Sequence, residues 1–209
     1  MKEQETSQQD IKAIRQMMED SSKFLSLSGL SGIAAGTLAI TGAIIAYFFI
    51  LGSGNTIYDE TLLSGGRTNS VRIELLIVAM AVLFSAVLSA WYISWRKVKK
   101  EGGRFWTPQA RKMTTNLVFF LSVGAAFSGI LALHGEINLI VSAMLVFYGI
   151  ALINASKYTL RDIKILGLCE IIIGLIAGVF VNYSLILWAL GFGVLHILYG
   201  IGMYYKYER

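Results

Sequence analysis

Long runs without a charged residue are the feature that most restricts how this chain can fold. No Asp, Glu, Lys or Arg occurs between Phe24 and Tyr58, or between Leu75 and Trp95. Two further runs, 113–156 and 165–205, contain one charged residue each. A helix that crosses the hydrocarbon core of a bilayer needs about 20 mainly apolar residues, so these runs have room for about one, one, two and two such helices.

The sequence therefore predicts an all-α polytopic membrane protein with six transmembrane helices. We place the spans at 29–51, 72–95, 115–134, 137–155, 163–181 and 184–205. The turns after spans 3 and 5 are very short, which predicts antiparallel neighbours and three helical hairpins in series. Transmembrane β-strands would show alternating segments of about ten residues, whereas these runs are continuously apolar. Only 15% of the residues are charged, against about a quarter in soluble domains.

The distribution of basic residues predicts the orientation of the chain. With six crossings, 16 of the 18 Lys and Arg residues lie on one side, and only Arg67 and Arg72 lie on the other. Because cytoplasmic loops carry an excess of Lys and Arg, both the N- and C-termini are expected in the cytoplasm. We expect the protein in the inner membrane of a bacterium. The net charge of +5 then reflects topology, and no nucleic-acid partner is expected.

Two regions are predicted: residues 1–28, a cytoplasmic N-terminal region with an amphipathic helix, and residues 29–209, the transmembrane domain. Within the first, Ile11, Ile14 and Met18 recur at helical spacing over residues 7–24. Two interpretations stay open. The helix lies on the bilayer surface or on the bundle, or it is a docking site for a cytoplasmic partner or a second copy, since helix-in-groove recognition uses the same spacing.

The segment between spans 2 and 3 carries seven basic residues and one acidic residue. Basic residues near an anionic inner leaflet are attracted to it, and Trp favours the membrane interface. The lipid bilayer is therefore the expected partner of this segment. The predicted lipid-interface residues are Arg96, Lys97, Lys99, Lys100, Arg104, Trp106, Arg111 and Lys112. Thr107 and Pro108 are expected to be the N-cap and first residue of the third helix.

Small residues recur on one face of several spans, which allows close helix approach in lipid. The predicted helix-packing residues are Gly32, Gly36, Gly167, Gly174, Gly178, Gly193 and Gly200. These glycine faces exceed what one small bundle obviously needs, so a homo-oligomer is a further hypothesis. An aromatic-Gly-Ile repeat also ends spans 4 and 6, as FYGI at 147–150 and LYGI at 198–201.

The glycines of the second and third hairpins also suggest a family. The relevant residues are Gly124, Gly129, Gly149, Gly167, Gly174, Gly178, Gly193 and Gly200. Three glycine-rich hairpins with short outer turns, in a chain of this length, resemble the HdeD-like bacterial membrane proteins. The resemblance implies a role linked to acid resistance and supplies no catalytic motif. The N-terminal helix and the long first loop depart from the family pattern.

Glu170 and His196 are lone ionisable residues inside spans 5 and 6. A charge at the centre of a membrane helix costs roughly 2.5–3.5 kcal/mol on insertion scales, so such residues need a reason. Both lie at a similar depth on antiparallel spans, with a glycine three residues before and four residues after each. The sequence therefore predicts that the two side chains meet near mid-membrane, on faces directed at protein.

Two hypotheses follow for this pair. It is a proton-responsive pair, titrating as one coupled unit, or it is a structural clamp between two helices. Accordingly, two classes of function stay open. One is a non-enzymatic membrane module that is stress- or acid-related or binds a partner. The other is a small transporter or channel that uses Glu170 and His196.

The sequence supports neither a catalytic site nor a metal or cofactor site. His134, Glu136 and Glu74 are a poor set of metal ligands, and the single Cys169 cannot form a disulfide within the chain. Residues 29–32 match the GxSG pattern of intramembrane serine proteases. Ser31, however, is expected at the edge of span 1, several turns away from His196, whereas a Ser–His pair must come within about 3 Å.

Overall fold

A computed structural model describes residues 28–51, 68–103 and 105–209, with backbone only for residues 68–70. Six long helices make up most of the described chain, and no β-strand occurs in these ranges. They are α1 (Gly29–Ile50), α2 (Thr68–Lys100), α3 (Pro108–Leu133), α4 (Ile137–Tyr158), α5 (Asp162–Val179) and α6 (Val181–Tyr207). The predicted helix at 7–24, the loop residues 52–67 and Arg104 lie outside the described residues.

All helices except α5 are long and apolar enough to cross a membrane. Helix α5 has 18 residues, about 27 Å at 1.5 Å per residue, and includes Asp162, Lys164 and Glu170. The outward faces are apolar, since side chains such as Phe84, Leu88, Phe119 and Ile165 are more than half exposed. Soluble monomers rarely expose such continuous apolar faces, whereas a multi-pass integral membrane protein turns them toward lipid.

The helices form two groups of three. Helix α1 packs against α2 and α6, and helix α4 packs against α3 and α5. The contact of α5 with α6 is smaller and lies mainly along the first half of α6. The three-hairpin arrangement stays a prediction, because two extensive pairings, α1 with α6 and α4 with α5, join helices from different predicted hairpins.

Each group is held by a crossing of two Gly-x3-Ile segments. In the α4–α5 crossing, a Cβ placed on Gly149 would lie 2.5 Å from the Gly167 carbonyl oxygen and 2.7 Å from Ile171 Cγ1. In the α1–α6 crossing, a Cβ on Gly36 would lie at the same distances from the Gly193 oxygen and Ile197 Cγ1. Glycine is required at these crossings because backbones of neighbouring helices touch there.

The starts of α1 and α5 and the ends of α2 and α6 lie together, at what we call the basic end of the bundle. Glu208 accepts a hydrogen bond from the Gly29 backbone N–H at 2.6 Å and lies 3.1 Å from the Lys97 ammonium. Asp162 is bonded to Lys206 at the same end. These contacts join the first and last described segments of the chain.

Helices α2 and α3 extend furthest beyond the predicted spans. Helix α2 continues to Lys100 and helix α3 begins at Pro108, seven residues before the predicted span. Thr107 accepts a hydrogen bond from Ala110 N–H at 3.1 Å, which confirms the predicted N-cap and proline start. The difference arises because hydrogen bonding sets the end of a helix, whereas hydropathy marks only its part inside the hydrocarbon.

Candidate functional site: a buried Glu–His–Tyr cluster

Glu170 occupies a position in the helix that would otherwise be apolar. Residues Ile163, Leu166, Glu170, Ile173 and Ala177 form one stripe of α5, at spacings of three and four residues, and all five are buried. Glu170 is completely inaccessible, with a relative exposure of 0%. The stripe of residues that packs α5 onto the bundle therefore has a carboxyl group at its middle position.

His196 is positioned by a departure from regular α-helix. Ala189–Leu195 is π-helical, and regular helix resumes at His196. Short π-helical segments are rare and frequently lie at functional sites. The sequence analysis missed this segment, whose two glycines, Gly191 and Gly193, were its only visible signal.

The two predicted side chains lie next to each other. His196 Nδ1 is 3.4 Å from Glu170 Oε1, and His196 has a relative exposure of 7%. Each residue follows the crossing glycine of its own helix by three positions, Gly167 on α5 and Gly193 on α6. Because the glycine crossings fix the rotation of both helices, they also direct Glu170 and His196 toward each other.

Both ring nitrogens of His196 have hydrogen-bond partners. Nδ1 donates to the Gly191 carbonyl oxygen at 3.0 Å, since a carbonyl can only accept. Nε2 lies 2.7 Å from the Tyr148 hydroxyl, which can donate to neutral imidazole or accept from imidazolium. The imidazole can thus gain a proton at Nε2 without losing a contact, provided that the Tyr148 hydroxyl rotates.

Glu170 has no such set of partners. Both carboxyl oxygens are buried, and neither takes part in a hydrogen bond with any described residue. Gly191 leaves room for the carboxyl group, because a Cβ at that position would lie 2.6 Å from Glu170 Oε2. The carboxyl group is thus enclosed by apolar protein, with the His196 ring as its nearest ionisable neighbour.

Tyr148 is the member of the cluster that the site prediction did not include. Its ring stacks on His196 with centroids 5.5 Å apart, and it also contacts Phe192 at 5.1 Å. Trp188 extends this aromatic wall by contacting Phe192. The aromatic-Gly-Ile repeat was the available signal, since it places Tyr148 directly before the crossing residue Gly149.

A second polar contact joins α5 to α6 at the basic end. Asp162 accepts hydrogen bonds from the Lys206 ammonium at 2.9 Å and from the Tyr207 hydroxyl at 2.8 Å. The hydrogen bond from Lys206 lowers the pKa of Asp162, and the bond from Tyr207 acts in the same direction. Between this contact and the buried cluster lies a groove of about 300 Å³ whose lining includes Cys169, Leu195 and Tyr199.

The other predicted site residues fall into two groups. A Cβ added to any of the predicted packing glycines would lie within 4 Å of a neighbouring helix. The glycine faces of α1, α5 and α6 are therefore already used within the chain. Of the predicted lipid-interface residues that the structure describes, Lys97 contacts Glu208, and Lys99 lies over the Trp95 ring at 5.0 Å.

The protease and metal alternatives gain nothing from the geometry. The Ser31 hydroxyl donates to the Ser28 carbonyl at 2.6 Å, while both His196 nitrogens contact other groups, so the two residues form no hydrogen-bonded pair. In the described ranges, no three His, Cys, Asp or Glu side chains cluster as metal ligands.

Comparisons with known proteins found no match to a family model, to a curated protein or to a solved structure.

Proposed function

We propose that this chain is a non-enzymatic, proton-responsive membrane module. In this proposal the cluster formed by Tyr148, Glu170 and His196, hereafter the proton cluster, changes its protonation and alters how α5 and α6 pack. The observation that carries the proposal is the buried Glu170 carboxyl group, whose oxygens form no hydrogen bond with any residue that the structure describes. A helix clamp would be expected to satisfy those oxygens, because an unpaired buried polar group is costly.

The proton cluster can hold its mobile proton in two arrangements. In one, Glu170 is neutral and Tyr148 donates to the neutral His196 ring. In the other, the proton resides on His196 Nε2, which donates to the Tyr148 oxygen, and the Glu170 carboxylate balances the imidazolium 3.4 Å away. Coupled groups of this kind titrate as a unit. A second proton removes that balance, leaving a cation among apolar side chains.

An uncompensated charge in the proton cluster would favour separation of the helices that enclose it. Helices α5 and α6 have a limited contact, and the groove between them reaches Cys169 and Leu195, the sequence neighbours of the pair. Opening along this groove would admit water to the charged form. The expected response to acid is thus a shift of α6 relative to α5.

The cellular setting is proposed on charge and pattern. We propose a bacterial inner membrane with the basic end in the cytoplasm, supported by the Lys and Arg asymmetry. Membership of the HdeD-like family, with its link to acid resistance, is a further proposal that suits a proton-responsive cluster.

Residues 7–24 are proposed to bind a cytoplasmic partner or a second copy. Measuring the mass of the protein in detergent would test whether two copies associate. Finding only the monomer would contradict self-association.

Infrared spectroscopy tests the proton cluster directly. We expect a difference spectrum between neutral and acidic pH to contain a carboxylic acid band that disappears in Glu170→Gln. Glu136→Gln is the matched control, because Glu136 is an exposed carboxyl group in the turn between α3 and α4. A spectrum unchanged by Glu170→Gln would mean that Glu170 does not titrate, and the proposal would be wrong.

Proton-coupled transport is the second candidate, and the groove beside the cluster is the observation that favours it. Cys169 and Leu195, the sequence neighbours of Glu170 and His196, line this groove, so widening it would expose the pair from one side, as an alternating-access site requires in one of its states. Flux in liposomes separates the two candidates. Flux that depends on pH and is lost in Glu170→Gln supports transport, whereas a titrating Glu170 without flux supports the module.

A further inference from the structure

A shallow groove runs along the first turns of α3, away from the proton cluster. Its volume is about 400 Å³, and the residues that line it are Trp106, Arg111, Thr114, Thr115, Val118 and Phe119. Five of the six belong to α3, at spacings of three, four, seven and eight residues from Arg111. They therefore form one stripe on the surface of the helix.

The chemistry of this stripe changes along the helix axis. A guanidinium group comes first, two hydroxyl groups follow one turn later, and two apolar side chains follow one turn after that. From Arg111 to Phe119 the rise is about 12 Å. A phospholipid has the same order of groups over a similar length: phosphate, glycerol ester, then acyl chain.

The charge of the groove favours an anion. Among the described residues, Arg111 is the only ionisable one in the lining, and it forms no ion pair with any of the others. A guanidinium group binds phosphate oxygens through two parallel hydrogen bonds. Trp106 is 62% exposed at the mouth of the groove, and Trp is enriched at the level of lipid headgroups.

We propose that this groove is a binding site for one anionic phospholipid of the leaflet at the basic end. Arg111 and the hydroxyl groups of Thr114 and Thr115 bind the phosphate and glycerol region, and Val118 and Phe119 contact the acyl chain. A soluble phosphate ion would leave the apolar half of the groove unused. The proposal is independent of the proton cluster, because it rests on a different helix and a different set of residues.

Native mass spectrometry of the full chain, purified with phosphatidylglycerol or with phosphatidylcholine, tests the site. Arg111→Gln should reduce the retained phosphatidylglycerol about tenfold, because it removes a charge-assisted contact to phosphate. Lys112→Gln is the matched control. It removes the same charge from the adjacent residue, which is also exposed but does not line the groove, and should change retention less than about twofold.

Further arms separate a built site from general attraction. Thr115→Val keeps the charge and shape of the groove and should still reduce retention by about threefold, as expected for the loss of one hydrogen bond. Equal losses in Arg111→Gln and Lys112→Gln would overturn the site, because diffuse attraction to the leaflet would then explain the binding. Retention of phosphatidylcholine as strong as that of phosphatidylglycerol, or displacement of the lipid by inorganic phosphate alone, would also overturn it.

Discussion

Helices α5 and α6 are joined by two polar contacts of opposite character. At the basic end, Asp162 accepts short hydrogen bonds from Lys206 and Tyr207, and the Lys206 side chain is 57% exposed. In the bundle, the Glu170 carboxyl group is fully buried and lies 3.4 Å from the His196 ring, and it forms no hydrogen bond within the described ranges. The exposed contact therefore has good hydrogen-bond geometry, whereas the buried contact has poor hydrogen-bond geometry.

The difference shows that hydrogen-bond quality is a poor guide to the importance of a polar contact. An exposed ion pair exchanges water for protein and is screened by salt, so it contributes little whatever its geometry. A buried charge is not solvated by water, so its free energy depends on how many protons the cluster holds. We therefore expect variants of the buried contact to have large effects and variants of the exposed contact to have small ones.

His196→Ala should have the largest effect. It leaves the Glu170 carboxyl group without its ionisable partner. In the charged arrangement of the proton cluster, breaking a buried charge pair in this way costs roughly 3–5 kcal/mol. The free energy of unfolding in mixed micelles, followed by denaturant titration, measures the loss. Adding Glu170→Gln to His196→Ala should recover most of it, because the unpaired acid is then gone. A loss of only about 0.6 kcal/mol, typical of neutral interhelical hydrogen bonds, would instead identify an ordinary clamp.

Gly191→Ala should have the next largest effect. The added Cβ would lie 2.6 Å from Glu170 Oε2 and 2.6 Å from Leu145 Cδ2, so the carboxyl group or the helix must move. Overpacking of this kind costs about 1–3 kcal/mol. Gly202→Ala on the same helix is the control, because no described atom of a neighbouring helix lies within 4 Å of its added Cβ. Equal stability of the two variants would mean that the carboxyl group is not confined as described.

Tyr148→Phe should have a smaller effect, about 0.5–1.5 kcal/mol, because it removes one hydrogen bond and keeps the stacked ring. The chain has two histidines, so nitrogen NMR of histidine-labelled protein can follow the His196 ring. The Nε2 signal should shift in Tyr148→Phe and stay unchanged in Tyr205→Phe, which alters a tyrosine that is 61% exposed. An unchanged Nε2 signal in Tyr148→Phe would remove Tyr148 from the proton cluster.

The buried contact was also the more predictable of the two, for a physical reason. Apolar runs and glycine spacing place Glu170 and His196 at one depth and on facing surfaces, since lipid restricts the chain to helices that cross it. Tyr148 was missed because an aromatic residue in an apolar run has an ordinary packing role, and hydropathy cannot indicate the direction of a hydroxyl group. The π-helical segment was missed because its two glycines are equally compatible with regular helix.

The packing partners of the helices were predicted less well than the helices themselves. The glycines lie at close helix contacts, but sequence alone did not show that Gly36 faces Gly193 and Gly149 faces Gly167. A Gly-x3-Ile segment fits any partner that carries the same segment. Which two of them meet depends on the arrangement of the whole bundle.

Asp162→Asn should have the smallest effect and shows the contrast most directly. Folding lowers the pKa of Asp162. Its contact with Lys206 therefore stabilises the fold at pH values above 3.8, the ordinary pKa of an aspartate. That contribution is lost only as the pH falls through the lowered value. Between pH 7 and pH 5 the variant should therefore show the same change in unfolding free energy as the wild type. The comparison would be reversed if Asp162→Asn changed the pH dependence of the unfolding free energy over this range and Glu170→Gln did not. The exposed contact would then be the proton-sensitive one.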